Sequence, residues 1–156
     1  MFTYASDIDV SRPADEVFAA ITDIRRWGEW TDMSEIRHDR PGPIAIGSTG
    51  TFTLPGPFKG PIRFELARLE PNRSVRYEMT HPGFTWTAEL RVTPEGGGSR
   101  LATAGTFRIR GWRRLLEPII AREVSRGEAD ELARMKSLLE SPAAPAAAVS
   151  ADVARS

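Results

Sequence analysis

The chain has 156 residues, 40% of them apolar and 27% charged, which suits one globular domain with a core of ordinary size. Lys+Arg and Asp+Glu both number 21, so no net charge marks the chain as a partner for nucleic acid. There is no cysteine, which excludes disulfides, thiolate nucleophiles and zinc–thiolate sites.

The N-terminus, MFTYASDIDV, lacks a basic segment followed by an apolar run. No apolar stretch approaches the roughly 20 residues needed to span a bilayer. A cytoplasmic chain with no integral membrane association is expected. Residues 2–10 alternate in polarity, with Phe2, Tyr4, Ser6, Ile8 and Val10 on one face of a first strand. Ser11 then reads as a helix N-cap, followed by Pro13, Asp15 and Glu16 in the first turn. Val17, Phe18, Ile21 and Ile24 form the apolar stripe of that helix. Gly28 interrupts the pattern between Trp27 and Trp30. Trp30 is read as a buried plug at one end of the sheet, and Trp27 as partly exposed.

Strands are predicted near 35–40, 49–54, 60–69, 73–80, 84–93 and 100–110. Pro- and Gly-rich turns at 41–43, 55–57, 71–72, 82–83 and 95–98 separate them. Such short connections imply antiparallel hairpins. Residues 112–140 read as a long helix whose regular start lies near Leu116, because Pro118 belongs in a first turn. Its middle, Arg126–Glu131, is polar and contains Gly127, which implies a bend or close packing there. The Ala/Pro-rich tail 141–156 is expected to be disordered, leaving a folded domain over 1–140.

The order of elements is a strand, short helices, about six antiparallel strands and one long helix. The stretches DVSRPADEVFAAITDIRRWGEW, IAIGSTGTF, RFELARLEPNRSVRYEM, ELRVTPEGGGSRLATAGTF and ELARMKSLLE, in that order, resemble the SRPBCC superfamily. This is the helix-grip or START-like group, and the resemblance is to its polyketide cyclase/dehydrase-like branch. It spans about residues 2–140. It implies an α+β helix-grip fold, with a curved antiparallel sheet of about seven strands around a long C-terminal helix and two short helices after strand 1. It also implies a hydrophobic cavity between sheet and helix, used across the group for lipids, polyketides, hormones and other apolar molecules. Some members catalyse cyclisation or dehydration, and many only bind or transport.

Strand alternation places Phe52, Phe64, Tyr77, Met79, Trp86, Thr103 and Phe107 on the inner face. Leu116, Ile120 and Glu123 would close the pocket from the helix. Each of these could instead simply fill the core. Tyr77 and Trp86 carry polar atoms that burial must satisfy. Glu123 is a possible buried acid, although glutamate more often stays in solvent. His81 reads as an exposed turn residue; His38 shares a strand face with Ile36 and could sit near a pocket mouth, but reads rather as a surface or edge residue.

No His/Asp/Glu set has metal-ligand spacing, so neither metal nor cofactor is expected. PEGGGSR is a hairpin loop rather than a phosphate cradle. RIRGWRR, residues 108–114, could grip an anionic head group, but in a neutral chain it reads as a solvated strand end and helix start. The favoured function is binding or transport of an apolar small molecule by a monomer or homodimer. The alternatives are a cyclase/dehydratase moving protons through Tyr77, Glu123 or His38, a reading that gains if two of Tyr77, Glu123, His38 and Arg76 converge on one cavity, and an interaction module with a filled cavity.

Overall fold

The computed structural model describes residues 1–141; the tail expected over 141–156 otherwise lies outside the described residues. Seven strands form one antiparallel sheet: β1 Phe2–Val10, β2 Ser34–His38, β3 Thr49–Thr53, β4 Ile62–Glu70, β5 Ser74–His81, β6 Phe84–Glu95 and β7 Gly98–Ile109. The spatial order is β1-β7-β6-β5-β4-β3-β2. Every consecutive pair from β2 to β7 is a neighbour, so that stretch is a meander, and β1 closes the far edge beside β7. Two short helices, α1 Ala14–Thr22 and α2 Trp27–Trp30, follow β1, and α3 Glu117–Glu140 ends the fold. This is a helix-grip α+β architecture.

Side-chain alternation fixes the register, because a slip of one residue would turn the apolar face to water. In β6 the residues Phe84, Trp86, Ala88, Leu90 and Val92 are all buried, and the four between them are half-buried or exposed. The β5–β6 turn needs only Pro82 and Gly83, and the β6–β7 turn only Gly96 and Gly97. Gly96 takes a positive φ of 59°, which glycine adopts without steric cost.

Ser11 does not cap α1. The helix begins after Pro13, with no side-chain cap. The Ser11 amide instead donates to the carboxylate of Glu140, the last residue of α3, at 2.7 Å. The Arg12 guanidinium donates to the Leu139 carbonyl and the Lys136 ammonium to the Asp9 carbonyl. At the other end, the Met1 ammonium binds Glu117 at 2.9 Å. α3 therefore runs in the same direction as edge strand β1. Its 24 residues span about 36 Å at helical rise, and nine strand residues span about 30 Å. The helix thereby shields an edge that would otherwise offer unpaired backbone groups.

Both tryptophans after α1 are buried. Trp27 is not partly exposed. Its indole N–H donates to the Ile21 carbonyl at 3.1 Å, and its ring meets Phe64 and Tyr77 edge-on at 5.1 Å each. Trp30 is buried beside it, on the side facing α3.

Candidate functional site

Only part of α3 is packed down. Leu132 and Met135, in its C-terminal half, are fully buried. Toward the N-terminus the helix stands off the sheet and leaves a cleft of about 510 Å³. The floor is aromatic: Phe84, Trp86 and Phe107 from β6 and β7, with Trp86 stacked on Phe107 at 4.8 Å. The loop 54–58 forms one wall, and Leu116, Ile120 and Val124 form the other. Deeper in lies a recess of about 40 Å³, bordered by Trp30, Tyr77, Met79, Thr103 and Leu132. Trp86, Glu128 and Glu131 border both spaces.

His81 secures the loop wall. Its Nδ1 accepts from the Gly83 amide at 2.9 Å, so the ring proton lies on Nε2, which donates to the Lys59 carbonyl at 2.9 Å. The ring stacks on Phe84 at 5.0 Å. His81 is thus a half-buried clip rather than a free turn residue. His38 faces a different groove, beside Arg40 and the Pro41-Gly42-Pro43 turn.

The polar centre is Glu128. Thr103 Oγ1 donates to its carboxyl at 3.1 Å, and the Tyr4 hydroxyl donates to it as well. The Tyr4 oxygen in turn accepts from Trp86 Nε1 at 2.9 Å. Tyr4 can reach this position because Gly105 lies opposite it in the β1–β7 register. A Cβ at residue 105 would overlap the Tyr4 phenol oxygen. Burial pushes the Glu128 carboxyl up to about 7, against the downward pull of its two hydroxyl donors. Burial, then the negative charge of Glu128, pushes Glu131 up to about 8, against the Asp32 amide and Arg134. Near neutral pH this wall of the cleft therefore holds protons that ordinary carboxyls would have released. The Tyr77 hydroxyl and the Trp30 indole N–H, both bordering the recess, are buried without a hydrogen-bond partner.

The ten residues anticipated from sequence divide into three groups. Trp86, Phe107, Leu116, Ile120 and Glu123 border the cleft, and Tyr77, Met79, Thr103 and again Trp86 border the recess. Phe52 and Phe64 border neither; they pack on each other and on Trp27 as core. Glu123 is not a buried acid. Its side chain is 66% exposed at the rim and faces Arg126 at 4.0 Å. Tyr77, Glu123, His38 and Arg76 do not converge, and Arg76 lies on the opposite sheet face beside Glu78.

The residues missed were Tyr4, Glu128 and Glu131. A signal for the two glutamates was present, since Val124, Glu128, Glu131 and Met135 continue one helical stripe at spacings of four, three and four. Among the described residues, no group of three or more His, Asp or Glu side chains is placed to hold a metal ion. No helix among the described residues is long and apolar enough to cross a membrane.

Several solved structures share this arrangement at low identity. TTHA0849 from Thermus thermophilus superposes with a TM-score of 0.71 at 11% identity, covering 87% of this chain and 95% of that one. The di-domain ARO/CYC StfQ from the steffimycin biosynthetic pathway gives 0.72 at 14% identity, covering 88% of this chain and 50% of that one. Truncated norcoclaurine synthase from Thalictrum flavum gives 0.66 at 15% identity, covering 90% and 94%. These likenesses are to the fold. No curated protein matches the sequence closely enough to count as a relative. A family model does match, over residues 1–140: the chain belongs to the family described as polyketide cyclase / dehydrase and lipid transport.

Proposed function

We propose that residues 1–140 act as a binding unit for an apolar small molecule held between the sheet and α3. The observation that carries this reading is the cleft of about 510 Å³, aromatic on its floor and aliphatic on its helix wall. Its size falls within the usual range for ligand sites, roughly 300–1,000 Å³. The few polar groups are concentrated at Glu128 and Glu131 and beside the unpartnered Tyr77 and Trp30, so the ligand presents an apolar body and one polar end. A lipid or an aromatic polyketide has that character, and membership of the family supports a ligand-binding or cyclase role.

Native mass spectrometry of protein purified from its own host tests the proposal. A co-purifying apolar molecule is the expected result. Protein that is consistently empty, and inert to a panel of lipids and aromatic polyketides, would sink it.

A second reading, as a cyclase or dehydratase, has one observation in its favour. Glu128 is a carboxyl poised near neutral pH, held by two hydroxyl donors on the cleft wall. That reading requires Glu128→Gln to abolish turnover of a bound poly-ketone while leaving its retention intact. Retention with no turnover by the parent protein leaves binding alone.

A further inference from the structure

The segment joining β7 to α3, together with the first turn of α3, leaves large apolar side chains exposed. Trp112 is 67% exposed, Leu115 84% and Ile119 64%. Trp112 and Leu115 border an open depression together with Met1, and Leu116 and Ile119 carry the same surface to the mouth of the cleft. Single exposed apolar residues are ordinary, whereas a contiguous group of them marks an interaction surface.

Basic residues surround this group. Arg110, Arg114 and Arg122 are exposed, and none has a carboxylate partner among the described residues. Arg100, by contrast, meets both Asp7 and Asp9 at 2.9 Å, although Arg37, Arg40 and Arg73 are also exposed without a carboxylate partner among the described residues. The nearby acids are already engaged, Glu117 by the Met1 ammonium and Glu123 by Arg126. Arg113 lies over the Trp112 ring at 5.0 Å and the Phe58 ring at 5.7 Å, which ties the surface to the loop wall of the cleft.

The geometry points to a docking surface for an anionic lipid bilayer, with Trp112, Leu115 and Ile119 entering the head-group boundary and Arg110, Arg114 and Arg122 facing the phosphates. Tryptophan suits that boundary because its ring is apolar and its N–H polar. Unpaired arginines supply the electrostatic half of a two-part attachment. The proposed contact is peripheral, with these side chains reaching only the head-group boundary. It goes beyond the cavity reading and stands or falls without it, because attachment needs no ligand in the cleft.

Phosphatidylcholine vesicles with and without phosphatidylglycerol, mixed with the full chain, provide the test. Trp112 is the one exposed tryptophan of four, so a blue shift of indole emission reports its insertion directly. The expected result is pelleting with phosphatidylglycerol vesicles together with that shift. Affinity should fall by about tenfold or more in Leu115→Ser and in the triple variant of Arg110, Arg114 and Arg122 to serine. These side chains are exposed, so circular dichroism melting should confirm that the variants stay folded. Absence of vesicle binding overturns the proposal, as does binding that ignores phosphatidylglycerol or survives both variants. A concentration-dependent dimer dissociated by Leu115→Ser, without vesicle binding, would reassign the surface to a second copy of the chain and overturn it too.

Discussion

The two halves of α3 obey different rules. From Leu132 onward the helix is fastened: Leu132 and Met135 are fully buried, and Arg12, Lys136 and Glu140 bind it to the end of β1. Before Gly127 it is held by the Met1–Glu117 pair at one end, while Ile119 stands in solvent and Ile120 and Val124 face a cleft. The same apolar stripe thus seals a core over one half and lines a cavity over the other. Apolar periodicity says which face of a helix turns inward, but not how far away the opposing surface lies. Where the facing residues are Glu128 and Glu131, the helix cannot close down without desolvating two carboxyls further.

The largest test of this contrast is on the fastened side. Trp30→Ala should cost ~3–5 kcal/mol in urea denaturation, and Met135→Ala ~2–5 kcal/mol. Trp30 borders the recess against Leu132, so its loss should loosen the end at which the helix is held. A Trp30→Ala protein that keeps its stability would show that the ring does not act as a plug.

A smaller effect should come from the boundary between the halves. Glu128 and Glu131 hold protons to about pH 7 and about pH 8 in the folded chain, against an ordinary glutamate value of 4.5. Below that ordinary value both states are protonated and the pair adds no penalty. As pH rises further, the unfolded chain ionises first, so the pair's contribution to stability is progressively lost until the folded carboxyls also ionise. Glu131→Gln should remove part of that decline. Relative to the parent, it should gain on the order of 1 kcal/mol at about pH 8 over its value at about pH 5. The difference between the two proteins is the proper readout, because the Glu140 carboxyl, held below its ordinary value by Lys136, gives the opposite slope. A variant that follows the parent at both pH values would place these carboxyls in ordinary solvent.

That boundary is also where reading the sequence fell short. The strands were legible because period-two alternation and Pro/Gly turns are local signals, and β5, β6 and β7 bury the very residues the alternation picked out. Trp86, Tyr77, Thr103 and Phe107 were legible as inner-face residues for the same reason. The separation of Phe52 and Phe64 from the cleft was not, since Trp27 reaches across to cover them and that contact is long-range. Glu128 and Glu131 were hidden by composition: a polar run in mid-helix looks like a solvated face unless the stripe is counted through it. Tyr4 was passed over because its role depends on Gly105, on a strand a hundred residues away in sequence.

Gly127 offers a weaker effect of opposite sign. Close packing does not explain it, since a Cβ there would meet nothing within 4 Å. Gly127→Ala should therefore raise stability by ~0.5–1 kcal/mol through helix propensity alone. A loss instead would show that the helix bends at this residue in solution.

The smallest effect, and the sharpest for the contrast, belongs to Ile119→Ala. If the N-terminal half of α3 stands off the sheet, Ile119 has little packing to lose, and the cost should stay within about 0.5 kcal/mol. Met135→Ala, on the same helix, should cost several times more. Were Ile119→Ala to cost ~2 kcal/mol or more, as a core isoleucine does, the half-helix would be closed onto the sheet in solution. The cleft would then be filled, and the binding reading would lose the observation on which it rests, even with every other residue of the site in place.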